Sequence, residues 1–434
     1  MLKEKILDKT AIIGVIGLGY VGLPLAVEKA KAGYRVIGFD IQEEKVKMVN
    51  AGQNYIGDVV KEDLESLVRE GKLSATADFA EVAGCDVVAI CVPTPLDVFK
   101  KPDLTYVEDS ARALSKYLKK DTLVVLESTT YPGTTENVLK PILEKTGLKC
   151  GTDFFLAFSP ERVDPGNLRF KTKNTPKVVG GVGLESTEMA KMLYESILDA
   201  PVCVVSSPKE AEMTKILENT FRIVNIALAN EMAVVSQKMG VNIWEVIDAA
   251  SSKPFGFMPF FPGPGVGGHC IPIDPYYLTH IARKYGFHTQ LIETAGDIND
   301  SMPEYVVMRV MKALNRQKKC LNGAKIVMMG IAYKEEVEDM RESPALKVLE
   351  RFEEHHAKVS VVDPYVPEFD WKGSIRNTVS LTQELIQGSD AVVITTAHKK
   401  NVDYHMIVNN ARYVFDSKNV LSKLDITGSN IGVL

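Results

Sequence analysis

Much of what would identify a 434-residue chain quickly is missing from this one. Its six cysteines (85, 91, 150, 203, 270 and 320) are scattered. They form no CxxC pair and no Cys/His cluster at zinc-finger spacing, so neither a disulfide framework nor a metal site is indicated. No stretch approaches the ~18 apolar residues needed to cross a bilayer. The opening MLKEKILDKT alternates charged and apolar residues and lacks the apolar core of a signal peptide. The expectation is a cytoplasmic protein with reduced thiols. There is no basic excess either: the formal net charge is -5 and the pI about 5.9. That argues against a nucleic-acid or membrane surface as partner, while leaving room for local phosphate sites. Low-complexity segments and short repeats are absent as well. What is present, 45% apolar and 25% charged residues, describes a soluble globular protein. The length suggests about three domains.

The first informative stretch follows a short apolar run, Ala11–Ile16, which leads straight into Gly17-Leu18-Gly19-Tyr20-Val21-Gly22. A helical pattern begins at Leu23, with Pro24 in its first turn, where a missing N–H costs nothing. A second strand, Arg35–Phe39, ends at Asp40. A lone GxGxxG is a weak signal, but between a strand and a helix, with an acid closing the next strand, it has the full dinucleotide-binding context. Gly17 makes the tight turn, Gly19 lets backbone reach a pyrophosphate, and Gly22 lets the helix pack closely on the strand. The helix N-terminus offers free N–H groups to the phosphates. Asp40 would accept the ribose hydroxyls and repel a 2′-phosphate, which favours NAD over NADP.

Further buried parallel strands are expected at Asp86–Val92 and Thr122–Glu127, and Phe154–Phe158 is another strand candidate. Each ends in a distinctive loop: Cys91-Val92-Pro93-Thr94-Pro95, Glu127 to Gly133, and Ser159-Pro160-Glu161-Arg162-Val163-Asp164-Pro165-Gly166. Ligands of open α/β sheets lie at the carboxyl ends of strands, so the first two loops should border the cofactor. The third sets acidic and basic groups within reach of a polar substrate.

Lys209–Lys238 contains no proline or glycine and predicts one long helix, followed by helical segments at Ile243–Ala250 and Tyr276–Tyr285. Lys215 and Asn219, four apart, share a helix face. Pointed into a site, they would stabilise an oxyanion. Pro262–Pro275 reads PGPGVGGHCIPIDP. Its glycines let backbone approach a ligand, and it delivers a thiol, Cys270, with a carboxylate, Asp274, four residues later. A thiolate on such a loop suits covalent catalysis. A lone cysteine is more often buried and inert, and an isolated helix lysine is more often solvated; the residues alone leave both readings open. From about Asn322 a second α/β pattern begins, with strands at Lys325–Met329, Lys358–Val362 and Ala391–Thr395 and a helix at Ser343–Phe352. Its first turn, Gly330-Ile331-Ala332-Tyr333-Lys334, lacks GxGxxG, which suggests a different ligand held by side chains such as Lys334.

Four separated motifs, GLGYVGLP (Gly17–Pro24), SPER (Ser159–Arg162), KILEN (Lys215–Asn219) and GGHCIPID (Gly267–Asp274), with DMRESP at Asp339–Pro344, resemble the UDP-glucose/GDP-mannose dehydrogenase family over essentially the whole chain. The resemblance implies an α/β protein with two Rossmann-like parallel-sheet domains joined by a long-helix connector: an NAD-binding domain over 1–205, a helical connector that pairs subunits over 206–315, and a UDP-sugar-binding domain over 316–434. A homodimer or larger assembly is implied. Family members oxidise the C6 alcohol of a sugar nucleotide to a carboxylate with two NAD. On that pattern Cys270 traps the C6 aldehyde as a thiohemiacetal that becomes a thioester, and water hydrolyses it. Lys215 and Asn219 hold the C6 oxygen and the oxyanion. Asp274, Glu161 and Thr129, with a water, handle the proton transfers. NAD falls to Gly17, Gly19, Tyr20, Val21, Gly22, Asp40, Lys45, Thr94, Thr129 and Arg341. The nucleotide sugar falls to Glu161, Arg162, Val163, Lys215, Asn219, Phe261, Pro262, Gly263, Gly265, Lys334 and Lys418. An arginine is common near the last position, and lysine neutralises a phosphate without the bidentate fork.

Ile273 replaces the lysine of the UDP-glucose branch. GHCIPxDP with SPERxDPGN is similar to the branch acting on UDP-N-acetylhexosamines, and Pro254–Gly265 is most similar to UDP-N-acetylglucosamine 6-dehydrogenases. UDP-N-acetylmannosamine and UDP-glucose are the alternative substrates. Bacterial surface polysaccharide synthesis is the implied context. Two rivals remain: a two-electron β-hydroxyacid dehydrogenase, which has no need of Cys270 or a third domain, and a non-catalytic nucleotide-sugar-binding regulator.

Overall fold

A computed structural model describes residues 1–97, 99–163, 167, 169–268 and 271–434. The backbone groups into two compact units, Met1–Glu218 with Tyr276–Phe287, and Asn219–Pro275 with His288–Leu434. The residues expected as a connector are shared between them. No helix among the described residues is long and apolar enough to cross a membrane.

The first unit is built on β1 (Ile12–Ile16), β2 (Arg35–Phe39), β3 (Leu73–Thr76), β4 (Val87–Ile90), β5 (Leu123–Leu126), β6 (Phe155–Phe158), β7 (Lys177–Gly181) and β8 (Val202–Val204). They form one sheet in the order β3-β2-β1-β4-β5-β6-β7-β8. The first six are parallel, in the order of a doubly wound dinucleotide-binding sheet that reverses between β1 and β4. β7 runs antiparallel to β6, and β8 parallel to β7. Every residue of β4, β5 and β6 is buried, because both faces are covered. Along β5, Leu123 and Val125 enter one apolar core while Val124 and Leu126 enter the other. That double burial is why these strands read as continuous apolar runs.

The second unit repeats the plan on a smaller scale. Its strands β9 (Lys325–Met329), β10 (Lys358–Val362), β13 (Ala391–Ile394), β14 (Val414–Asp416) and β15 (Ile431–Val433) are parallel, in the order β10-β9-β13-β14-β15. A separate hairpin joins β11 (Glu368–Trp371) to β12 (Ser374–Asn377). Ile326 and Met328 of β9 face one core, Val327 and Met329 the other.

The expected long helix spans Pro208–Met239, with shorter ones at Ile243–Ser251 and Asp274–Lys284. A further helix, Gln290–Arg316, carries Pro303 in its interior. Proline removes the N–H that would bond the carbonyl four residues back. Here that carbonyl belongs to Asn299, and it faces Gly265, whose Cβ position would lie 3.4 Å away.

Candidate active site

The turn after β1 shows that its three glycines are there for different reasons. Gly17 has φ +90°, and a Cβ there would sit 2.7 Å from the Cys91 carbonyl oxygen. A Cβ on Gly22 would fall 1.7 Å from the Gly17 oxygen. The fold itself demands both. A Cβ on Gly19 would meet nothing within 4 Å among the described residues, so their packing does not call for glycine there, and the bare backbone is open to close approach by a ligand. The helix Gly22–Lys31 that follows has neither a side-chain cap nor an acid in its first turn, so its N–H end is ready for an anion. These residues fit NAD.

Asp40, 7% exposed, does more than the sequence suggested. Its Oδ2 accepts the Leu18 N–H and its Oδ1 the Gln42 N–H, both at 2.9 Å. The carboxylate thus latches the glycine turn. The Tyr55 hydroxyl donates to the Leu18 carbonyl, and Lys45 lies 3.9 Å from the Asp40 carboxylate. Tyr20 is exposed beside the turn, and Val21 caps the helix. At the end of β4, buried Thr94 donates to the Thr129 carbonyl at 2.7 Å and accepts from the Tyr277 hydroxyl. The loops after β4 and β5 are therefore tied together where a cofactor would lie. Arg341 belongs to the other unit, where its guanidinium and backbone N–H engage Asp339.

The start of the loop after β6 is held by hydrogen bonds. Glu161 Oε1 accepts the Arg162 and Val163 N–H groups at 2.9 and 2.8 Å, and its Oε2 lies 3.2 Å from the Lys177 ammonium. Arg162 is engaged with Glu218, with Nη2 at 2.5 Å from Oε1, and with the Pro176 carbonyl. Asp164, Pro165 and Gly166 lie outside the described residues.

On the long helix, Lys215 and Asn219 are 8% and 4% exposed. Lys215 is therefore not the solvated helix lysine of the plainer reading. It makes no ion pair or hydrogen bond among the described residues. Asn219 Nδ2 donates to Asp274 Oδ2 at 2.5 Å, and Asp274 is 2% exposed at the start of its helix. Glu212, one turn before Lys215, was not singled out from sequence. Its carboxylate accepts from the Gly133 and Thr135 N–H groups and the Thr135 hydroxyl. Burial pushes its carboxyl up to about 7 against those hydrogen bonds. It pins the loop bearing Thr129 to the helix bearing Lys215, and helical spacing was the available signal. Cys270 and His269 lie outside the described residues.

In the second unit, the loop Phe261–Gly268 is clamped from behind. Asn230 Oδ1 accepts the Gly263 N–H at 2.9 Å, Asn230 Nδ2 donates to Asn299 Oδ1 at 2.8 Å, and Asn299 Nδ2 reaches the Ile223 carbonyl. Gly268 N–H donates to the Arg341 carbonyl at 3.1 Å. Cβ atoms on Gly265 and Gly267 would press on Pro344 at 3.0 and 2.7 Å. Pro262 is buried, and half-exposed Phe261 stacks on Trp244, with Lys423 5.1 Å from its ring centre. The Lys418 ammonium stands 3.1 Å from the Cβ position of Gly263. Burial pushes that ammonium down to about 8, helped by neighbouring Lys423 and opposed by Glu335 and Asp416. A desolvated lysine beside a second cation is a place for an anion. Lys334 lies half-buried after β9.

Asp363, at the end of β10, repeats the latch of Asp40 by accepting the Ile331 N–H at 2.7 Å. Unlike Asp40, it also faces buried His398 at 3.2 Å and accepts the Ala332, Tyr365 and Val366 N–H groups. Its oxygens are spent on the fold, which suits a unit lacking the glycine fingerprint.

Three sequence models of one family match the chain in order: the NAD binding domain of the UDP-glucose/GDP-mannose dehydrogenase family over residues 11–198, its central domain over 209–301, and its UDP binding domain over 327–423. The UDP-N-acetyl-D-glucosamine 6-dehydrogenase of Pseudomonas aeruginosa is 40% identical over 82% of this chain and 84% of its own length. The UDP-N-acetyl-D-mannosamine dehydrogenase of Pyrococcus horikoshii is 36% identical over 95% of this chain and 96% of its own. A solved structure described as UDP-D-ManNAc dehydrogenase from Pyrococcus horikoshii superimposes with a TM-score of 0.89 at 36% identity, covering 97% of this chain and 98% of that one. With the glycine turn and the parallel sheets, these matches show that the chain belongs to the UDP-glucose/GDP-mannose dehydrogenase family and is an NAD-dependent oxidoreductase.

Proposed function

We propose that the protein oxidises the C6 hydroxyl of UDP-N-acetylglucosamine to the uronic acid, in two steps that consume two NAD and one water, for surface polysaccharide synthesis. The observation that carries this reading is on the long helix: a buried lysine with no ion pair or hydrogen bond among the described residues, Lys215, one turn from an asparagine held by a buried carboxylate, Asp274. A buried ammonium with no counter-ion is arranged for negative charge that arrives with the substrate.

Bound NAD supplies the hydride acceptor for each oxidation. The glycine turn with Tyr20 and Val21, Asp40, Lys45, Thr94 and Thr129, together with Arg341, would hold it. Lys215 and Asn219 would hold the C6 oxygen and favour its anionic form. The Cys270 thiolate would add to the C6 aldehyde, forming a C–S bond and a hemithioacetal oxygen. Oxidation of that adduct leaves a thioester; water breaks the C–S bond, releasing the acid and restoring the thiol. Glu161, Asp274 and Thr129 would move the protons. The loop Phe261–Gly265, Lys334 and Lys418 would take the uridine diphosphate, and Arg162 and Val163 would shape the wall by the sugar. Exposed apolar side chains on the long helix, including Leu217, Phe221 and Leu228, support a homodimer or larger assembly, as such stripes usually mark interfaces.

The P. aeruginosa relative and the residues Pro254–Gly265 support the gluco epimer. The manno epimer is the second reading, because the P. horikoshii relative named for it aligns over more of the chain. Initial rates with UDP-N-acetylglucosamine, UDP-N-acetylmannosamine and UDP-glucose, read as NADH absorbance, separate them. The proposal expects the first to have the highest kcat/KM, and a preference for either other sugar would replace it.

A further inference from the structure

Within the first unit lies a chain of four charges, of which the reaction scheme uses only the last. Lys29, on the helix after the glycine turn, meets Glu127 at 3.0 Å; Glu127 meets Lys177 at 2.6 Å; Lys177 meets Glu161 at 3.2 Å. The side chains of Lys29 and Glu127 are fully buried, that of Lys177 is 5% exposed, and only Glu161 reaches the surface, at 15%. The Tyr194 hydroxyl donates to Glu127 in a 2.7 Å bond, and the buried thiol of Cys91 is a further titratable neighbour. Burial alone would push the Glu127 carboxyl up; Lys177 and Lys29 hold it down at about 2. Burial opposes the charge on Lys177 too, but Glu127 and Glu161 raise it above the ordinary lysine range.

Burying such ions costs desolvation, and apolar side chains of like volume often serve a core as well or better. Stability is therefore a poor reason for this arrangement. Its geometry suggests another. β7 runs back along β6, pairing Gly180 with Phe158, and so sets Lys177 beside the loop that leaves β6. Of the Glu161 oxygens, Oε1 already accepts two backbone N–H groups, while Oε2 receives only Lys177 among the described residues. One lone pair of Oε2 is left for a water or substrate hydroxyl.

We propose that Lys177 is a positioning residue: anchored by Glu127 and Lys29, it holds the Glu161 carboxylate at the carboxyl end of β6 with Oε2 turned toward the reaction. The inference rests on the proton-transfer role of Glu161 proposed above. It is tested by Lys177→Met, Glu161→Gln and the double variant in the full-length enzyme. Glu161→Gln should lower kcat about 100-fold, as loss of a general acid–base group does. Lys177→Met should lower kcat roughly 10- to 100-fold with KM within about 3-fold, and should cost less than about 3-fold when Glu161 is already glutamine, because groups that act through one another are not additive. Glu127→Gln/Lys177→Met removes one charge of each sign and takes the place of Lys177→Met in the comparison should that variant fail to fold. If Glu161→Gln is fully active, the role of Glu161 is wrong and the inference goes with it. If Glu161→Gln is impaired while Lys177→Met is not, or the two losses multiply, the positioning role alone is overturned.

Discussion

Substituting Gly19 and Gly22 separately by alanine divides what the cofactor requires from what the fold requires. The Gly19 Cβ would stand in open space, and its φ lies outside the left-handed region. An alanine there should leave the free protein as stable or more so by about 0.4–1 kcal/mol, through reduced freedom of the unfolded chain. With NAD bound, the same methyl would occupy the space of closest approach. Overpacking of that kind costs about 1–3 kcal/mol, or roughly 5- to 150-fold in dissociation constant. Gly22→Ala should do the reverse, since its Cβ, 1.7 Å from the Gly17 oxygen, cannot be relieved without moving backbone. It should destabilise the ligand-free protein by about 3 kcal/mol or more. The assay is a thermal melt without ligand paired with NAD titration calorimetry. If Gly19→Ala binds NAD within about 3-fold of the parent, or melts well below it, the assignment of open space at Gly19 to the cofactor is refuted.

Other consequences follow from individual groups. Lys418, with its ammonium pushed down to about 8, should take up a proton when a diphosphate binds beside it. UDP should therefore bind about tenfold more weakly at pH 9 than at pH 7 by calorimetry, and Lys418→Met should bind weakly with a flat profile; a sloped profile in the variant would remove Lys418 from the site. Glu212 is raised to about 7 in the folded state, so between about pH 4.5 and 7 the folded chain holds a proton there that the unfolded chain has lost. Its contribution to stability is fully present below the unfolded value and is lost as pH rises through about 7. The urea midpoint should fall from pH 6 to 8 in the parent, with that part of the slope missing in Glu212→Gln. Cys270→Ala should abolish acid formation while NAD binding by calorimetry stays unchanged; normal turnover would make the thiol structural.

The strands most legible in the sequence were those buried on both faces, such as Leu123–Leu126 and Lys325–Met329, because two covered faces leave an unbroken apolar run. β7 was not legible. It opens on a buried lysine and closes on Gly180 and Gly181, whose Cβ positions would strike Ser207 and Thr187 backbone at 2.0 and 2.3 Å, so its pattern resembles a loop. Gln290–Arg316 was hidden by Pro303, a helix breaker that the packing of Gly265 against Asn299 accommodates. At the site, motifs named single residues but not what they lean on. From sequence alone Asp40 is given a ribose to accept, and its latching of its own glycine turn is missed. Lys29, Glu127 and Lys177 are lone charges far apart in the chain, and only the crossing of β5, β7 and a helix brings them together.

The most direct test of the four-electron reading is the NADH yield per UDP-N-acetylglucosamine consumed, with NAD in excess and the reaction run to completion. Two NADH per sugar, with the uronic acid as product, is the expected result. One NADH, with a ketone or aldehyde accumulating, would contradict it.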